Sequence, residues 1–292
     1  MQSDGYELID SGDGRKLERF GDLILERPAA QAAWRPQLSE EAWRNAHARF
    51  DREEGNRWHG RQLLPREWEA QIEGLRFRLS STDFGHLGVF PEQRPMWRWL
   101  RDTCRARPGL RVLNLFAYSG GSTLAPAQGG AEVCHVDASK GMTEWARDNA
   151  RRNRLDTAPI RWIVDDVSVF MAREIRRGKQ YDGIILDPPS FGRGAKGEMF
   201  KIEEQINPLL DQVRALLSEK PAFLLLSGHT PGFTARVLHN LIEQTMQGLP
   251  GNIDSGEMQL EGQPGVRPLP SGAYARWQAA PATGAPISAS AE

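Results

Sequence analysis

The sequence predicts an α/β protein built on a doubly wound, mostly parallel sheet that closes with an antiparallel hairpin, preceded by a small, mainly β domain of α+β type. Three observations lead there. After residue 81, apolar strand segments alternate with glycine or acidic turns and helical segments, the rhythm of strand–helix crossovers. Before residue 81, short alternating stretches are broken by turn residues instead. Near the end, Ser255 to Gly262 and Gly272 to Ala279 read as two strands joined by a Pro/Gly-rich loop. The divisions implied are residues 1–80 for a small domain that presents a substrate, 81–278 for the sheet domain, and 279–292 for a disordered tail.

From Tyr6 to Leu25, Ser11-Gly12-Asp13-Gly14 and Gly21-Asp22 mark turns between brief strands, with Leu17, Phe20, Leu23 and Leu25 facing a small core. Ser39, followed by two glutamates, predicts a capped helix running to Phe50. Arg57 to Ser80 returns to strands, Trp58, Trp68, Ile72, Leu75, Phe77 and Leu79 alternating with charged neighbours. A helix is expected over Arg94 to Arg105, then strands over 111–116, 132–137, 160–164, 181–186 and 222–227. Helices are expected over 123–128, 139–153 and 233–247. The last residues, Ala279 to Glu292, are Ala, Pro, Gly, Ser and Thr almost throughout, too poor in large apolar groups to offset the entropy of ordering.

Composition limits the function classes. A formal charge of −1 over 292 residues gives no overall electrostatic case for nucleic acid. Two cysteines, Cys104 and Cys134, are too few for a disulfide framework and too far apart for a zinc pair, which fits a reducing compartment and no metal. No leader-like basic and apolar stretch opens the chain, and no segment reaches the ~20 apolar residues that span a bilayer. A cytoplasmic protein with no membrane contact is expected; the sequence gives no oligomeric state. Arg147, Arg151, Arg152 and Arg154, and then Arg173, Arg176, Arg177 and Lys179, are read as solvated helix faces or as phosphate contacts. The Gly-rich segment Arg193 to Glu198 is read as a mobile loop that closes over substrate.

The chemistry is carried by the ends of the strands. The first empties into Asn114-Leu115-Phe116-Ala117-Tyr118-Ser119-Gly120-Gly121, a turn that lets a ligand approach the backbone but lacks dinucleotide glycine spacing and a P-loop lysine. Asp137 ends the second strand, followed by Ala138-Ser139, and reads as a ribose acceptor, a helix cap or both. Asp165-Asp166 leave the third strand, to meet an adenine amino group or to cap the next helix. The fourth ends in Asp187-Pro188-Pro189-Ser190-Phe191. Two adjacent prolines remove two donors and fix the chain path, so the carboxylate is held rigidly over the mouth of the sheet, and Phe191 is available to stack on a planar target.

This ordered set resembles the class I S-adenosylmethionine-dependent methyltransferases, whose Rossmann-like sheet ends in an antiparallel hairpin. Over roughly residues 75–240, Asp-Pro-Pro-Ser-Phe together with Gly88-Val89-Phe90-Pro91-Glu92-Gln93-Arg94 is similar to the bacterial large-subunit ribosomal RNA methyltransferases that modify cytosine C5 or guanine. The resemblance implies S-adenosylmethionine as cofactor. It implies that Asn114, Phe116, Ala117, Tyr118, Ser119 and Gly120 cradle the methionine part, that Asp137 with Ala138 and Ser139 holds the ribose, and that Asp165 and Asp166 meet the adenine. Phe90, Gln93 and Arg94 would close over the methionine end, where Pro91-Glu92 replaces the usual Leu-Asp.

Cytosine-C5 members attack the base with a cysteine after the fifth strand. Here that strand ends Leu226-Ser227-Gly228-His229-Thr230. The expectation is therefore direct transfer to a nitrogen or oxygen of an RNA base, ribosomal RNA foremost. Asp187, Pro188, Pro189 and Phe191 would form the acceptor site, Asp187 also touching the cofactor, and His229 is a second candidate base. The alternatives are a small-molecule or protein acceptor, or a cofactor-binding protein without transferase activity.

Overall fold

The computed structural model describes residues 5–53, 55–193 and 199–280. In chain order, β1 (Tyr6–Gly12), β2 (Arg15–Phe20) and β3 (Leu23–Pro28) form a meander, followed by α1 (Glu40–Arg44), β4 (Ala48–Asp51) and β5 (Arg57–His59). These strands make one sheet in the order β1-β2-β3-β4-β5. The Ser39 side chain does cap α1, but the helix ends at Arg44 and Phe50 belongs to β4. The reason is a long-range partner: Ile24 exchanges hydrogen bonds with the His47 backbone and ring, which draws the chain back beside β3. A separate hairpin follows, β6 (Trp68–Ile72) and β7 (Leu75–Leu79).

The second part begins with α2 (Arg94–Ala106) and continues β8 (Arg111–Leu115), α3 (Gly121–Gln128), β9 (Glu132–Asp137), α4 (Lys140–Arg152), β10 (Ile160–Val164) and α5 (Val167–Arg176). Next come β11 (Gly183–Leu186), a short hairpin of β12 (Phe191–Arg193) and β13 (Met199–Lys201), then α6 (Ile202–Leu216), β14 (Phe223–Gly228) and α7 (Ala235–Thr245). The chain closes with β15 (Gly251–Leu260) and β16 (Leu269–Ala279). The seven-stranded sheet has the order β10-β9-β8-β11-β14-β16-β15; the first five strands are parallel, and β16 pairs antiparallel with both β14 and β15. This is the α/β architecture expected, with longer closing strands. Residues 281–292 of the expected tail, and residues 194–198 of the expected loop, lie outside the described residues; Ala279 is the last residue of β16.

Alternation along the central strands divides the core into two faces. Val112, Val133, Ile185, Phe223 and Leu225 pack with Leu100, Leu124 and Ala125 of α2 and α3. Their neighbours Leu113, Leu115, Cys134, Val136, Ile184, Leu186, Leu224 and Leu226 pack with Phe170, Leu209, Val213 and Ile242 of α5, α6 and α7. Helices on both faces explain why β11 and β14 are continuous apolar runs. The apolar side chains before residue 80, including Leu8, Phe20, Leu25, Phe50, Ile72 and Phe77, join the first face rather than enclosing a core of their own.

One helix ties the early hairpin to the sheet. Asn149 Oδ1 of α4 and Oδ1 of its C-cap residue Asn153 accept from the Arg78 and Arg76 backbone N–H groups at 2.8 and 2.9 Å, and Trp145 Nε1 donates to the Arg78 carbonyl at 2.9 Å. These bonds cover an edge of β7 that would otherwise be open for strand pairing. Asn149 Nδ2 also donates to the Ser119 carbonyl at 2.9 Å, so the same helix supports the loop after β8. Gly88 completes this support: its φ is +93°, and a Cβ there would lie 2.2 Å from Trp145 Cζ2. Gly88→Ala is therefore expected to cost about 1–3 kcal/mol from overpacking and left-handed backbone strain, read as a lower urea midpoint. An unchanged midpoint would contradict the packing described.

Candidate functional site

Because β8 leads outward to β9 and β10 while β11 and β14 lie on its other side, the strand order reverses between β8 and β11. Loops there diverge and leave a crevice at the carboxyl ends of the strands. A cavity of about 560 Å³ occupies it, in the range of ligand pockets, and every one of the five parallel strands contributes a loop to its wall. Following the strand order, Asp166 and Val167 come after β10, Asp137, Ala138 and Ser139 after β9, and Phe116 and Tyr118 after β8. Asp187, Pro188, Pro189 and Ser190 follow β11, and His229 follows β14. A smaller cavity of about 40 Å³ adjoins it, lined among others by Phe90, Gln93, Asn114, Ala117, Ser119, Gly120 and Asp187.

The loop after β8 owes its shape to unusual backbone conformations. Phe116 and Tyr118 have φ of 56° and 48°, and Gly120 has φ of 93°. Non-glycine residues in that region carry strain that the surroundings must hold. Asp137 holds it: one carboxylate oxygen accepts from the Tyr118 backbone N–H at 2.8 Å and the other from the Ser139 N–H at 2.8 Å. Burial raises the Asp137 pKa, and these two backbone donors act against that rise. Ser139, not Asp137, caps α4 with its side chain. Ser119 Oγ donates to the Gly88 carbonyl at 2.5 Å, and Asn114 Nδ2 donates to Thr123 Oγ1 at 2.9 Å, so both side chains serve the loop itself.

The next two acidic residues separate. Asp166 caps α5 through the Val169 N–H at 3.0 Å and lines the cavity, whereas Asp165 is turned to Arg173 and to the Asp166 N–H. Asp187 stands at the junction of the two cavities. Its Oδ2 accepts from Gln93 Nε2 at 3.2 Å, and Gln93 also donates to Ser227 Oγ at 3.0 Å. Its Oδ1 is buried without a hydrogen-bond partner. Burial raises the Asp187 pKa above the usual carboxylate range, and the charge of His229 opposes that rise.

Aromatic rings complete the wall. Phe90 packs against His86, Tyr118 and His229 at centroid distances of 5.5, 5.2 and 5.8 Å, and Phe200 of β13 packs against Phe116 at 5.5 Å. Phe191 is 63% exposed and does not line the cavity; Arg94 lies apart as well, its guanidinium over the Tyr6 ring. Sequence reasoning missed His86, Val167 and Phe200. For His86 the signal was the polar, Gly-containing run Thr82 to Gly88, which announces a loop; Phe200 gave none, since it reaches the cavity only through the β12–β13 hairpin. Of the arginines flagged in sequence, Arg151 and Arg152 pair with Asp148, Arg173 with Asp165 and Arg177 with Glu174.

Cys104 and Cys134 are buried, do not line the cavity, and have thiols that burial pushes up to about 12 and about 11. Neither offers a thiolate near neutral pH. Among the described residues, no group of three or more His, Cys, Asp or Glu is placed to hold a metal ion, and no helix is long and apolar enough to cross a membrane.

This geometry has known counterparts. A methyltransferase described as S-adenosylmethionine-dependent, from Agrobacterium tumefaciens, superposes with a TM-score of 0.89 at 41% identity, over 94% of this chain and 91% of that one. SMU.776, solved with SAH, shares the fold with a TM-score of 0.74 at 22% identity, over 95% of this chain and 76% of that one. Among curated relatives, the ribosomal RNA large subunit methyltransferase K of Neisseria meningitidis serogroup B is 27% identical over 246 residues, 80% of this chain and 67% of that protein. The K/L enzyme of Pseudoalteromonas translucida is 30% identical over 162 residues, and this chain spans only 22% of its length. The cavity volume and the carboxylates fit S-adenosylmethionine, with Asp166 after β10, Asp137 after β9 and the strained loop after β8 following one another along the edge of the sheet. The model for S-adenosylmethionine-dependent methyltransferases matches residues 19–231, and the chain belongs to that family, with S-adenosylmethionine as its cofactor.

Proposed function

We propose that this enzyme methylates a base of RNA, ribosomal RNA foremost, by direct transfer to a nitrogen or oxygen without a cysteine adduct. The observation that carries the reading is the position of Asp187, whose carboxylate borders both cavities and keeps one oxygen unpaired. S-adenosylmethionine supplies an electrophilic methyl group on a sulfonium. Asp137 holds the ribose hydroxyls while fixing the Tyr118 and Ser139 backbone, and Asp166 and Val167 border the adenine. The loop Phe116 to Gly120, with Phe90 and Gln93, encloses the methionine end.

On the acceptor side, Pro188 and Pro189 fix the chain that carries Asp187, which accepts a hydrogen bond from the acceptor's N–H or O–H. Catalysis is then chiefly alignment of two reactants, with a carboxylate to receive the proton. Phe191, exposed beyond the rim, offers a ring for a neighbouring base to stack on. The named RNA targets of the relatives support a ribosomal substrate, and the small sheet before residue 80 is proposed to help present it. Because neither thiol lies in the cleft, the double variant Cys104→Ala, Cys134→Ala is expected to transfer methyl groups within about twofold of the wild-type rate. Loss of transfer with cofactor binding intact would bring a thiol back into the mechanism.

The substrate class is tested by incubating the protein with methyl-labelled S-adenosylmethionine and an extract of cells lacking the gene, then separating RNA, protein and small molecules. Label in RNA is the expected result. Label confined to protein or small molecules would replace the RNA reading with one of those acceptors.

A further inference from the structure

Asp187 is joined to a deeper set of charges that the transfer reaction above does not use. Glu92 lies in the turn Pro91–Gln93 ahead of α2 and is 4% exposed. Its Oε1 accepts from Ser271 Oγ of β16 at 3.0 Å and stands 3.0 Å from His229 Nε2. The other ring nitrogen, Nδ1, is 3.9 Å from Asp187 Oδ1, the oxygen without a hydrogen-bond partner. Both nitrogens of one imidazole therefore face carboxylate oxygens. Either neutral tautomer would turn a lone pair toward an anion, whereas the doubly protonated ring offers an N–H to each.

Lys16 of β2, whose Nζ is 3.1 Å from the buried Glu18, also acts on this set, its charge reaching both Glu92 and His229, and the charge of Glu92 reaches His86 and Tyr6 in turn. Lys16, Glu92, His229 and Asp187 thus alternate in sign from the five-stranded sheet to the cleft. Phe90 packs on the His229 ring and a Cβ on Gly272 would come within 3.0 Å of it, so two neighbours hold the imidazole while 36% of its side chain stays open to the cleft.

We propose that Glu92 is a positioning residue for methyl transfer: it holds His229 as an imidazolium between two carboxylates, and that charge keeps Asp187 ionised where it orients the acceptor. The proposal rests on the acceptor-orienting role given to Asp187 above. It makes His229 a fixed positive charge and hydrogen-bond donor, not a base. The titration directions agree for His229 and Glu92, while at Asp187 the charge of Glu92 adds to the burial that raises its pKa and the His229 charge opposes both. Burial lowers the His229 pKa, but the hydrogen bond to Glu92 and the charges of Asp187 and Glu92 push it up to about 9. Burial likewise raises Glu92, yet His229 holds it below the usual carboxylate range. The raised histidine pKa means that the charged arrangement is complete below the ordinary value of about 6.5 and is lost as pH rises through about 9.

The experiment is an NMR titration of the His229 ring in the full chain, assigned by difference from His229→Asn, for wild type, Glu92→Gln and Glu92→Asp. In wild type the ring is expected to stay protonated through pH 8 and titrate near 9. In Glu92→Gln the titration should fall by about 1–3 units, the range for losing an opposite charge in contact, and Glu92→Asp should recover part of it. The decline of kcat at high pH should move down with it while the KM for S-adenosylmethionine stays unchanged, a split that simple loss of fold would not produce. A wild-type ring titrating at about 6.5 overturns the proposal even if no variant folds. So does a Glu92→Gln curve that coincides with wild type. The NMR titration needs no acceptor, so failure to label RNA would count against the substrate reading without altering this result.

Discussion

Asp187→Ala is expected to lower the rate of methyl transfer by about 10²–10⁴-fold, the range for removing a positioned acid–base group, while S-adenosylmethionine still binds. The same change should leave thermal stability equal or higher. The sign follows from burial: a carboxyl whose folded pKa is raised above its unfolded value is costly to keep ionised, so at neutral pH its removal relieves a penalty. The gain is small, because the bond from Gln93 to Oδ2 and the approach of the His229 ring to Oδ1 at 3.9 Å are lost with the carboxylate. Steady-state transfer, cofactor titration and a thermal melt measure the three quantities on one sample. A variant that transfers methyl at the wild-type rate would remove Asp187 from the mechanism, and one that melts far lower would make it structural.

Asp137→Ala is expected to behave in the opposite way. Two backbone donors, on Tyr118 and Ser139, lose their acceptor at once, and Tyr118 is already held at φ of 48°. Leaving such groups unpaired costs about 1–3 kcal/mol each, so stability should fall and S-adenosylmethionine affinity should weaken by roughly 10²-fold as the loop loses its shape. Asp137→Asn keeps one acceptor oxygen and should recover part of the stability. Calorimetric titration with the cofactor and a urea melt check both. Wild-type affinity in Asp137→Ala would separate this carboxylate from the ribose and from the loop.

The parts legible in sequence were those whose cause is local. β11 and β14 announce themselves because strands covered on both faces are uninterrupted apolar runs, and the carboxylates at strand ends are visible because the turn follows directly. The Ser39 cap was legible for the same reason. The end of that helix was not, because β3 decides it through His47. α6 was obscured by Pro208 within it and by the Gly-rich segment before it, though its apolar spacing from Ile202 to Leu216 is regular. β15 begins earlier than expected because its first residues are largely exposed and polar, and only pairing with β16 makes them a strand.

In the site, the departure Pro91-Glu92 was visible but not its meaning. Glu92 meets His229 and Ser271 across 137 and 179 residues of chain, and no periodicity encodes such a contact. The separation of Asp165 from Asp166 has a similar origin, since Arg173, one helical face away, takes the first and leaves the second to cap α5. The shared core of the early strands with α2 and α3 was also hidden, because alternation tells which side of a strand is buried and not what buries it.

The most direct measurement is nucleoside mass spectrometry of ribosomal RNA from cells with the gene, without it, and without it but carrying the wild-type or the Asp187→Ala chain. The account predicts one methylated nucleoside that disappears with the gene and returns with the wild-type chain but not with Asp187→Ala. An unchanged set of methylated nucleosides in all four samples would contradict it and direct the search for the acceptor to proteins or small molecules.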